Sequence, residues 1–465
     1  VFTMRNMRIR SLMLYLIVCA FFGGIIFFCY EFTTEGKSWV FSNINRHLSQ
    51  GTASQGKISD RNGLVLAGVT DGKRTYCEDK SVRTALLHTV GDGSILIPSS
   101  IQSHYASELF GYNAVTGLGA PEVISMSKNI SLTLDGSVCA KVSNDFKGKK
   151  GAAVAYNYLT GEVLCMVSLP TYDILERPSA EALKSEKYEG VYLNRVLNSS
   201  YTPGSVFKIF TTAAALDLMP DAEKRNFSCE KVKIVDGEKV TCMKSHGKLS
   251  LKEALSKSCD IAFCDIALEL GKDAMTKKMN EMGFNKSLYF DNLEISKSVY
   301  NVESATRGDL GWSGIGQYTN TLNPMHMVKI MGAIANSGVC TEPYIVKSMS
   351  FGQDDKEVNL EPPKITYFFK PSTADKIKEM MRYTVKSNYG ESKFPNMCAK
   401  TGTAEIGEGK TPHGWMVGFS YDKSFPVAFA VVVENGDFGN RRRRLYRKPH
   451  KRFSLRKRLR RCDIR

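Results

Sequence analysis

The chain has 465 residues, of which 43% are hydrophobic and 24% charged, and its formal net charge is +16. A chain of this length exceeds one ordinary globular core, so two domains with appendages are expected. The charge is local, because residues 441–465 hold fourteen Lys or Arg and one acid, a net +13 that leaves +3 for the other 440 residues. The body of the chain therefore lacks the basic character of a nucleic-acid-binding protein, and no such partner is expected.

The first predicted element is a membrane anchor at residues 12–30, which read LMLYLIVCAFFGGIIFFCY without a charge. At about 1.5 Å per residue this run is long enough to cross about 30 Å of hydrocarbon. Arginines precede it and glutamates follow it, so residues 1–11 form a basic cytoplasmic stub and the bulk of the chain is expected outside. A cleaved signal peptide is the alternative, but the run exceeds a usual signal core and no A-x-A-like site ends it.

Two regions follow the anchor. Residues 31–150 are mixed and polar, with a hairpin turn at Asn62-Gly63, and they contain no catalytic constellation. We interpret them as a small pedestal domain. At Gly151 the pattern changes to AAVAYNYL and EVLCMVS, two strands that open a second domain over residues 151–439.

Ser205 is predicted at the N-terminus of a helix, SVFKIFTTAAALDLM, where free N–H groups favour developing negative charge. Lys208 lies one turn later on the same face. A serine needs a base within hydrogen-bond reach, and a lysine serves as one only if burial or a like charge lowers its pKa. Lys400 is the obvious second ammonium. The alternative is that Ser205 is a simple helix cap.

The helical stretch of residues 251–271 carries Ser258 and Asp260. The Ser258 hydroxyl can lie between Lys208 and Lys400 and pass a proton towards a leaving amine. An ordinary helix serine is the alternative interpretation.

Three strands, MCAKTGTAE, GWMVGFS and VAFAVVVE, are predicted as antiparallel neighbours near the end of the body. Lys400, Thr401, Gly402 and Thr403 on the first of them can pair with an extended peptide and bind its terminal carboxylate. The backbone N–H groups of Ser205 and Thr403 are the expected oxyanion donors. A polar edge strand without function is the alternative. Helices grouped between strands from both ends of the domain predict an α+β fold.

Cys229 and Cys242 flank KVKIVDGEKV, a predicted hairpin, so they form either a disulfide across its ends or two free thiols. No Cys/His spacing in the chain is typical of a zinc site, and no metal or cofactor is expected. His246 and His413 have no carboxylate at motif spacing, which favours structural roles.

The three motifs S-x-x-K (205–208), S-x-D (258–260) and K-T-G-T (400–403) resemble in type and order those of penicillin-binding proteins and class A β-lactamases. Longer stretches, including TPGSVFKIFTTAAALD and GIGQYTNTLNPMHMVKIMGAIANSG, resemble the class B penicillin-binding proteins, the D,D-transpeptidases of bacterial cell walls. The short pedestal is similar to that of their smaller, PbpA-like branch. The resemblance implies a serine β-lactamase/transpeptidase-like domain.

The resemblance also implies a reaction. Ser205 would attack the penultimate D-Ala carbonyl of a peptidoglycan stem peptide, and a neighbouring amine would resolve the ester into a cross-link, with carboxypeptidase activity as a side reaction. β-Lactams would trap Ser205. The implied location is the bacterial cell membrane with the catalytic domain outside, beside a glycan polymerase of the SEDS type. A β-lactam sensor or a membrane-anchored β-lactamase would share these motifs.

Two departures from the family pattern have consequences. Asp260 stands where the family has an asparagine, and an ionised carboxylate near Lys208 would favour the charged ammonium. We therefore expect Asp260 to turn partly away from Ser205 or to pair with another donor. Residues 440–465 replace the family's sheet-covering helix with a basic tail, which is expected to be disordered. A shifted reading frame near Gly439 would explain it, and binding to acidic wall polymers is the functional alternative.

Overall fold

The computed structural model describes residues 11–31, 33–34, 56–71, 73–94, 96–110, 127–351, 356–358, 360–407 and 409–436. The predicted basic tail of residues 440–465, and the stub up to residue 10, lie outside the described residues. The expectations for both therefore stay predictions.

Helix α1 (Ser11–Glu31) has a mean hydropathy of 2.6 and is long and apolar enough to cross a membrane. The further α-helices of the described residues are α2 (Lys80–Ala85), α3 (Leu87–Val90), α4 (Ile101–His104), α5 (Ala106–Phe110), α6 (Gly136–Asp145), α7 (Ala180–Leu183), α8 (Lys208–Leu218), α9 (Leu251–Ser256), α10 (Asp260–Glu281), α11 (Arg307–Ser313), α12 (Pro324–Ala335) and α13 (Pro371–Thr384). Short 3₁₀ turns span Glu186–Tyr188 and Gly204–Phe207, and a π-helical turn spans Val385–Tyr389.

The strands of the described residues are β1 (Ile58–Ser59), β2 (Val65–Thr70), β3 (Lys73–Tyr76), β4 (Lys128–Leu132), β5 (Gly151–Asn157), β6 (Val163–Leu169), β7 (Asn226–Cys229), β8 (Val232–Val235), β9 (Glu238–Thr241), β10 (Gly247–Ser250), β11 (Leu288–Phe290), β12 (Leu293–Ile295), β13 (Val339–Thr341), β14 (Val346–Phe351), β15 (Lys356–Val358), β16 (Ile365–Tyr367), β17 (Met397–Ala404), β18 (His413–Ser420) and β19 (Val427–Val433).

A five-stranded sheet in the order β17-β18-β19-β5-β6 forms the centre of the fold, and every pairing in it is antiparallel. The strands predicted near both ends of the second domain are thus neighbours, with Val431 of β19 opposite Ala153 of β5. Helix α12 packs on β18, β19 and β5, and its residues from Pro324 to Ile334 are buried. The fold is α+β, as predicted.

A second sheet has six strands in the order β15-β14-β4-β1-β2-β3. The predicted turn at Asn62-Gly63 joins β1 and β2, which pair antiparallel. Strand β14 pairs with β4, with Met349 opposite Ile130. Residues from the second predicted domain therefore complete the sheet of the first, a long-range pairing that local sequence patterns do not reveal.

The hairpin predicted between Cys229 and Cys242 is present as β8 and β9, and of the two alternatives left open for these cysteines the structure has the free thiols. Both cysteines are free buried thiols. Cys229 ends β7, which pairs with β10, and its Sγ lies 3.4 Å from His246 Nδ1. Cys242 follows β9 and its Sγ lies 3.7 Å from Cys259 Sγ. A disulfide requires about 2.05 Å. The two thiols are therefore close to each other but not bonded.

Candidate active site

Ser205 lies in the 3₁₀ turn Gly204–Phe207, which continues directly into α8, so it is at a helix start as predicted. Gly204 makes this turn possible. It has φ +54°, its N–H donates to Gly316 O at 2.9 Å, and a Cβ added to it would lie 2.4 Å from Thr403 O. A glycine is needed both for the backbone conformation and for the close approach of β17. The turn thereby holds Ser205 against the K-T-G-T strand.

Replacing Gly204 with alanine is expected to lower the free energy of unfolding by about 2 to 4 kcal/mol, because the methyl group collides with a backbone carbonyl in a strained conformation. Urea unfolding measures this loss. Gly148→Ala is the matched control, since Gly148 has φ +78° with open space around it and should lose only about 1 kcal/mol. Equal losses in both variants would show that the contact with Thr403 is unimportant.

Lys208 is fully buried, and its ammonium is surrounded by acceptors. Nζ lies 3.0 Å from Ser205 Oγ, 3.1 Å from Ser258 Oγ, 2.9 Å from Ser258 O and 2.6 Å from Asp260 Oδ1. The predicted hydrogen bond between Ser205 and a lysine one turn later is therefore present. The geometry is that of a serine nucleophile next to a general base.

Ser258 joins the two lysines. Its Oγ lies 3.1 Å from Lys208 Nζ and 3.1 Å from Lys400 Nζ, as the sequence predicted. The prediction of one helical stretch through Ser258 is wrong, because α9 ends at Ser256 and α10 begins at Asp260. Ser258 has φ +54°, a left-handed conformation that no helix interior accommodates. This break turns the hydroxyl out of the helix and between the lysines.

The sequence predicts a lowered pKa for Lys208 with Lys400 as the neighbouring charge, whereas the structure lowers the pKa of Lys400. Burial lowers the pKa of Lys400 well below its ordinary value of 10.5, the positive charge of Lys208 lowers it further, and Asp260 opposes both effects. Its Nζ donates to Thr401 O at 2.7 Å. A neutral Lys400 amine keeps a lone pair towards Ser258, so Ser205, Lys208, Ser258 and Lys400 form a continuous chain for a proton.

Asp260 lies beside Lys208, although the sequence predicted that its carboxylate would turn partly away from Ser205 or pair with another donor. It is paired with a donor, which was one of the two alternatives, but that donor is Lys208 itself. As the first residue of α10, with Cys259 capping the helix, Asp260 has its carboxylate directed at the buried ammonium. The expectation failed because burial of Lys208 makes a nearby anion favourable.

Thr401, Gly402 and Thr403 lie on β17, the edge strand of the central sheet. A Cβ on Gly402 would lie 3.0 Å from Pro203 O, so glycine lets the strand approach the Ser205 turn. The Thr401 N–H faces the open edge and donates to the Tyr389 hydroxyl at 3.0 Å. Alternate residues of a strand direct their N–H groups to the same edge, so that of Thr403 faces it too.

Sequence reasoning missed two residues of this site. The Tyr389 hydroxyl also lies 2.9 Å from Thr401 Oγ1, so it occupies the edge of β17 at Thr401. No local pattern marks it, because a π-helical turn after α13 carries it. Gly316, with φ +83°, holds the Ser205 turn because its carbonyl oxygen accepts the hydrogen bond from the Gly204 N–H. It lies in the GIGQ stretch, whose two glycines are a signal for a close backbone approach.

Comparison with known proteins identifies the family of this chain. The family model described as penicillin binding protein transpeptidase domain matches residues 151–449. Peptidoglycan D,D-transpeptidase PbpA of Mycolicibacterium smegmatis is 29% identical over 312 residues, which cover 62% of this chain and 62% of the relative. PbpA of Mycobacterium tuberculosis is 30% identical over 314 residues, with the same coverage of each chain. This chain thus spans about 62% of the length of these curated relatives.

Solved structures are similar over more of the chain. Penicillin-binding protein A from M. tuberculosis, as a ceftriaxone acyl-enzyme complex, has a TM-score of 0.72 and 25% identity, covering 84% of this chain and 94% of that chain. The penicillin G acyl-enzyme complex of the same protein gives a TM-score of 0.70 at 25% identity, with coverages of 83% and 94%.

Proposed function

Because the chain belongs to the penicillin binding protein transpeptidase family, we propose that it is a peptidoglycan D,D-transpeptidase acting through an acyl-enzyme on Ser205. The observation that carries the proposal is the bridging hydroxyl of Ser258, which lies 3.1 Å from both Lys208 Nζ and Lys400 Nζ while Lys208 reaches Ser205 Oγ. A structural serine cap would not need two buried lysines behind it. The PbpA relatives, named as D,D-transpeptidases, support the same activity.

In the acylation step Ser205 Oγ bonds to the penultimate D-Ala carbonyl carbon of a stem peptide, and the bond from that carbon to the terminal D-Ala nitrogen breaks. Lys208 first passes a proton to Ser258 as Ser258 passes one to Lys400, which leaves Lys208 with a lone pair, and the proton of Ser205 then moves to Lys208. Lys208 therefore ends the transfer beside Asp260 with the charge it began with, and Lys400 has gained one. The same chain then returns a proton to the leaving amine, so charge and protons balance.

In the second step the amine of a neighbouring stem peptide attacks the ester, loses its proton along the same chain, and releases Ser205 with a new peptide bond. The open edge of β17 is the proposed binding place for the donor peptide, with Thr401 and Thr403 near its carboxylate. The N–H groups of Ser205 and Thr403 are the proposed oxyanion donors. Water in place of the amine gives the carboxypeptidase side reaction.

The direct test supplies a D-Ala-D-Ala-ended stem peptide and an acceptor amine to the full chain in detergent. Release of D-Ala together with a cross-linked product of matching mass is expected. A β-lactamase of the same fold would instead turn over penicillin rapidly, and a sensor would be acylated by β-lactams without forming a peptide product. Rapid penicillin hydrolysis without a cross-linked peptide would therefore contradict the proposal.

Asp260→Asn is expected to leave the acylation rate equal or faster. The asparagine amide oxygen still accepts from Lys208, while its NH₂ group adds a donor that the carboxylate lacks. Removing the anion also takes away the one contribution that raises the pKa of Lys400, so the acidic limb of the rate profile should move to lower pH. Labelling rates with a fluorescent penicillin at several pH values measure both effects.

Asp273→Asn, a change thirteen residues later and beyond the break in α10 at Gly271, serves as the control for that variant. A loss of more than about tenfold in the acylation rate, roughly 1.4 kcal/mol in the barrier, would show that Asp260 is needed as a carboxylate.

We further propose that α1 anchors the protein as a single span in the bacterial cell membrane with the catalytic domain outside. The support is its length and hydropathy, together with the charge asymmetry around residues 12–30. Residues 31–150 are the proposed pedestal between anchor and catalytic domain. A membrane glycan polymerase of the SEDS type is the proposed partner, on the family resemblance. Co-purification with and without residues 1–34 tests that contact.

A further inference from the structure

Four potential metal ligands lie close together beside the active site, although their spacing in the sequence is not that of a known metal-binding motif. The Sγ atoms of Cys229, Cys242 and Cys259 and a ring nitrogen of His246 all lie within 4.8 Å of one another. The three thiols are buried and the histidine is half-buried. They come from four places in the chain, namely the end of β7, the residue after β9, the residue before β10 and the cap of α10.

We propose that these four residues, named here the Cys₃His cluster, bind one Zn²⁺ ion. Zinc prefers four tetrahedral ligands of this kind, with Zn–S near 2.3 Å and Zn–N near 2.0 Å, which separates two sulfurs by about 3.8 Å and a sulfur and nitrogen by about 3.6 Å. Cys242 Sγ and Cys259 Sγ are 3.7 Å apart, and Cys229 Sγ and His246 Nδ1 are 3.4 Å apart. Two opposite edges of the tetrahedron therefore already have the required length.

The surroundings of the Cys₃His cluster suit thiolates. The backbone N–H of Asp260 lies 3.1 Å from Cys242 Sγ, and that of Ile261 lies 3.5 Å from it. The N–H of Ala262 lies 3.5 Å from Cys259 Sγ. Such donors orient metal-bound thiolates and offset their charge. Binding Zn²⁺ would release three thiol protons to solvent, and the half-buried side of His246 gives the ion an entry path.

Ligand positions are also fixed by the backbone before any ion binds. The N–H of His246 donates to Cys229 O at 3.1 Å, and the N–H of Cys242 donates to Lys231 O at 2.9 Å. The pairing of β7 with β10 places Cys229 opposite Gly247, next to His246. Sheet pairing and a helix cap thus assemble the site, which explains why spacings of 13, 4 and 13 residues resemble no short zinc motif.

The Cys₃His cluster has a direct covalent connection to the catalytic groups. Cys259 is the residue between Ser258 and Asp260, which both contact Lys208. Ser258 is held at φ +54°, a conformation that costs about 1 to 3 kcal/mol unless the surroundings fix it. A zinc ion on Cys259 would hold this break between α9 and α10 and so position the Ser258 hydroxyl. We infer a positioning role for the metal and no contact with substrate.

The test measures the metal in the full chain, purified in detergent without chelators or added metal. About one zinc per chain is expected, and Cys242→Ser and His246→Asn should each reduce it at least about tenfold. Cys264→Ala is the matched control, because this buried thiol lies on α10 outside the cluster and should leave the zinc content unchanged. The wild-type measurement stands even if a variant fails to fold.

Two further measurements distinguish a bound metal ion from free thiols and from a disulfide. Cobalt replacing zinc should give the intense visible bands of a tetrahedral thiolate site, and His246→Asn should change them. Alkylation should modify the three cluster cysteines only after the metal is removed. Less than about a tenth of a zinc per chain at saturating Zn²⁺, or a Cys242–Cys259 disulfide in unreduced peptides, would overturn the proposal.

The positioning role rests on the proposed function and has a separate readout. Removing zinc should slow penicillin labelling at least about tenfold, and adding it back should restore the rate, while Cys264→Ala labels normally. Zinc bound stoichiometrically with an unchanged labelling rate after its removal would overturn the positioning role. The metal content and the cobalt spectrum do not depend on penicillin binding, so failure of the proposed function would leave them unaffected.

Discussion

Ser205→Ala is expected to reduce covalent labelling by a fluorescent penicillin by at least about 1,000-fold, to the background of the assay. The loss has a simple cause, since no other hydroxyl in the described site lies where the Ser205 turn meets β17 with a lysine 3.0 Å behind it. Alanine keeps the packing of the turn, because only a half-buried hydroxyl is removed. Gel fluorescence of the full chain measures the labelling, and mass mapping identifies the modified peptide.

The matched control for that variant is Ser200→Ala. This serine lies five residues upstream and its hydroxyl donates to Lys297 O at 2.9 Å, away from both lysines. It should label at the wild-type rate, and both variants should unfold at the wild-type urea midpoint. Labelling that persists in Ser205→Ala, or a modified peptide that lacks residue 205, would show that another residue is acylated and would remove the basis of the mechanism.

Lys400→Arg is expected to reduce the acylation rate by about 100- to 10,000-fold at every pH. A guanidinium is permanently charged and has no lone pair under these conditions, so it cannot accept the proton from Ser258. The variant separates two roles of Lys400. If the residue only attracted a carboxylate by its charge, arginine would retain most of the rate. Lys410→Arg, at an exposed position after β17, is the control.

The acylation rate of the wild-type protein should fall as the pH is lowered, because burial determines the direction in which the pKa of Lys400 is shifted. Burial and Lys208 lower the pKa of Lys400, so the amine is neutral above that lowered value and becomes a charged, non-accepting group below it. Folding expels a proton from Lys400 between the lowered pKa and the ordinary value of 10.5, so its contribution to stability rises with pH across that range. Acylation that is flat with pH into the acidic range would contradict the proton chain.

Much of the central site was accessible from sequence because each part is a local pattern. The helix after Ser205, the strands around Lys400 and the hairpin between Cys229 and Cys242 all have the periodicity that was interpreted, and the structure has them. The hydroxyl of Ser258 between two lysines was also predicted, since the chemistry of acyl transfer requires a relay there. These inferences used residue type, period and order along the chain.

The predictions that failed depended on which distant groups meet. Whether Cys242 is bonded to Cys229 or meets Cys259 as a free thiol is decided by how β7, β10 and the start of α10 come together, and the spacings of 13 and 17 residues do not settle it. The position of Asp260 is decided by the burial of Lys208. A buried ammonium is stabilised by an adjacent carboxylate, whereas an ammonium in water does not need one.

The sequence by itself was enough to propose a reaction centre, with its serine, its two lysines and its strand, because each short motif keeps its own residues close in any fold that contains it. Only the tertiary structure decided the break at Ser258, the lowered pKa of Lys400 and the convergence of the Cys₃His cluster. The physical reason is that burial, dielectric surroundings and contacts between remote residues are properties of packing. They arise when α10, β7 and β17 come together, and no window along the chain contains all three elements.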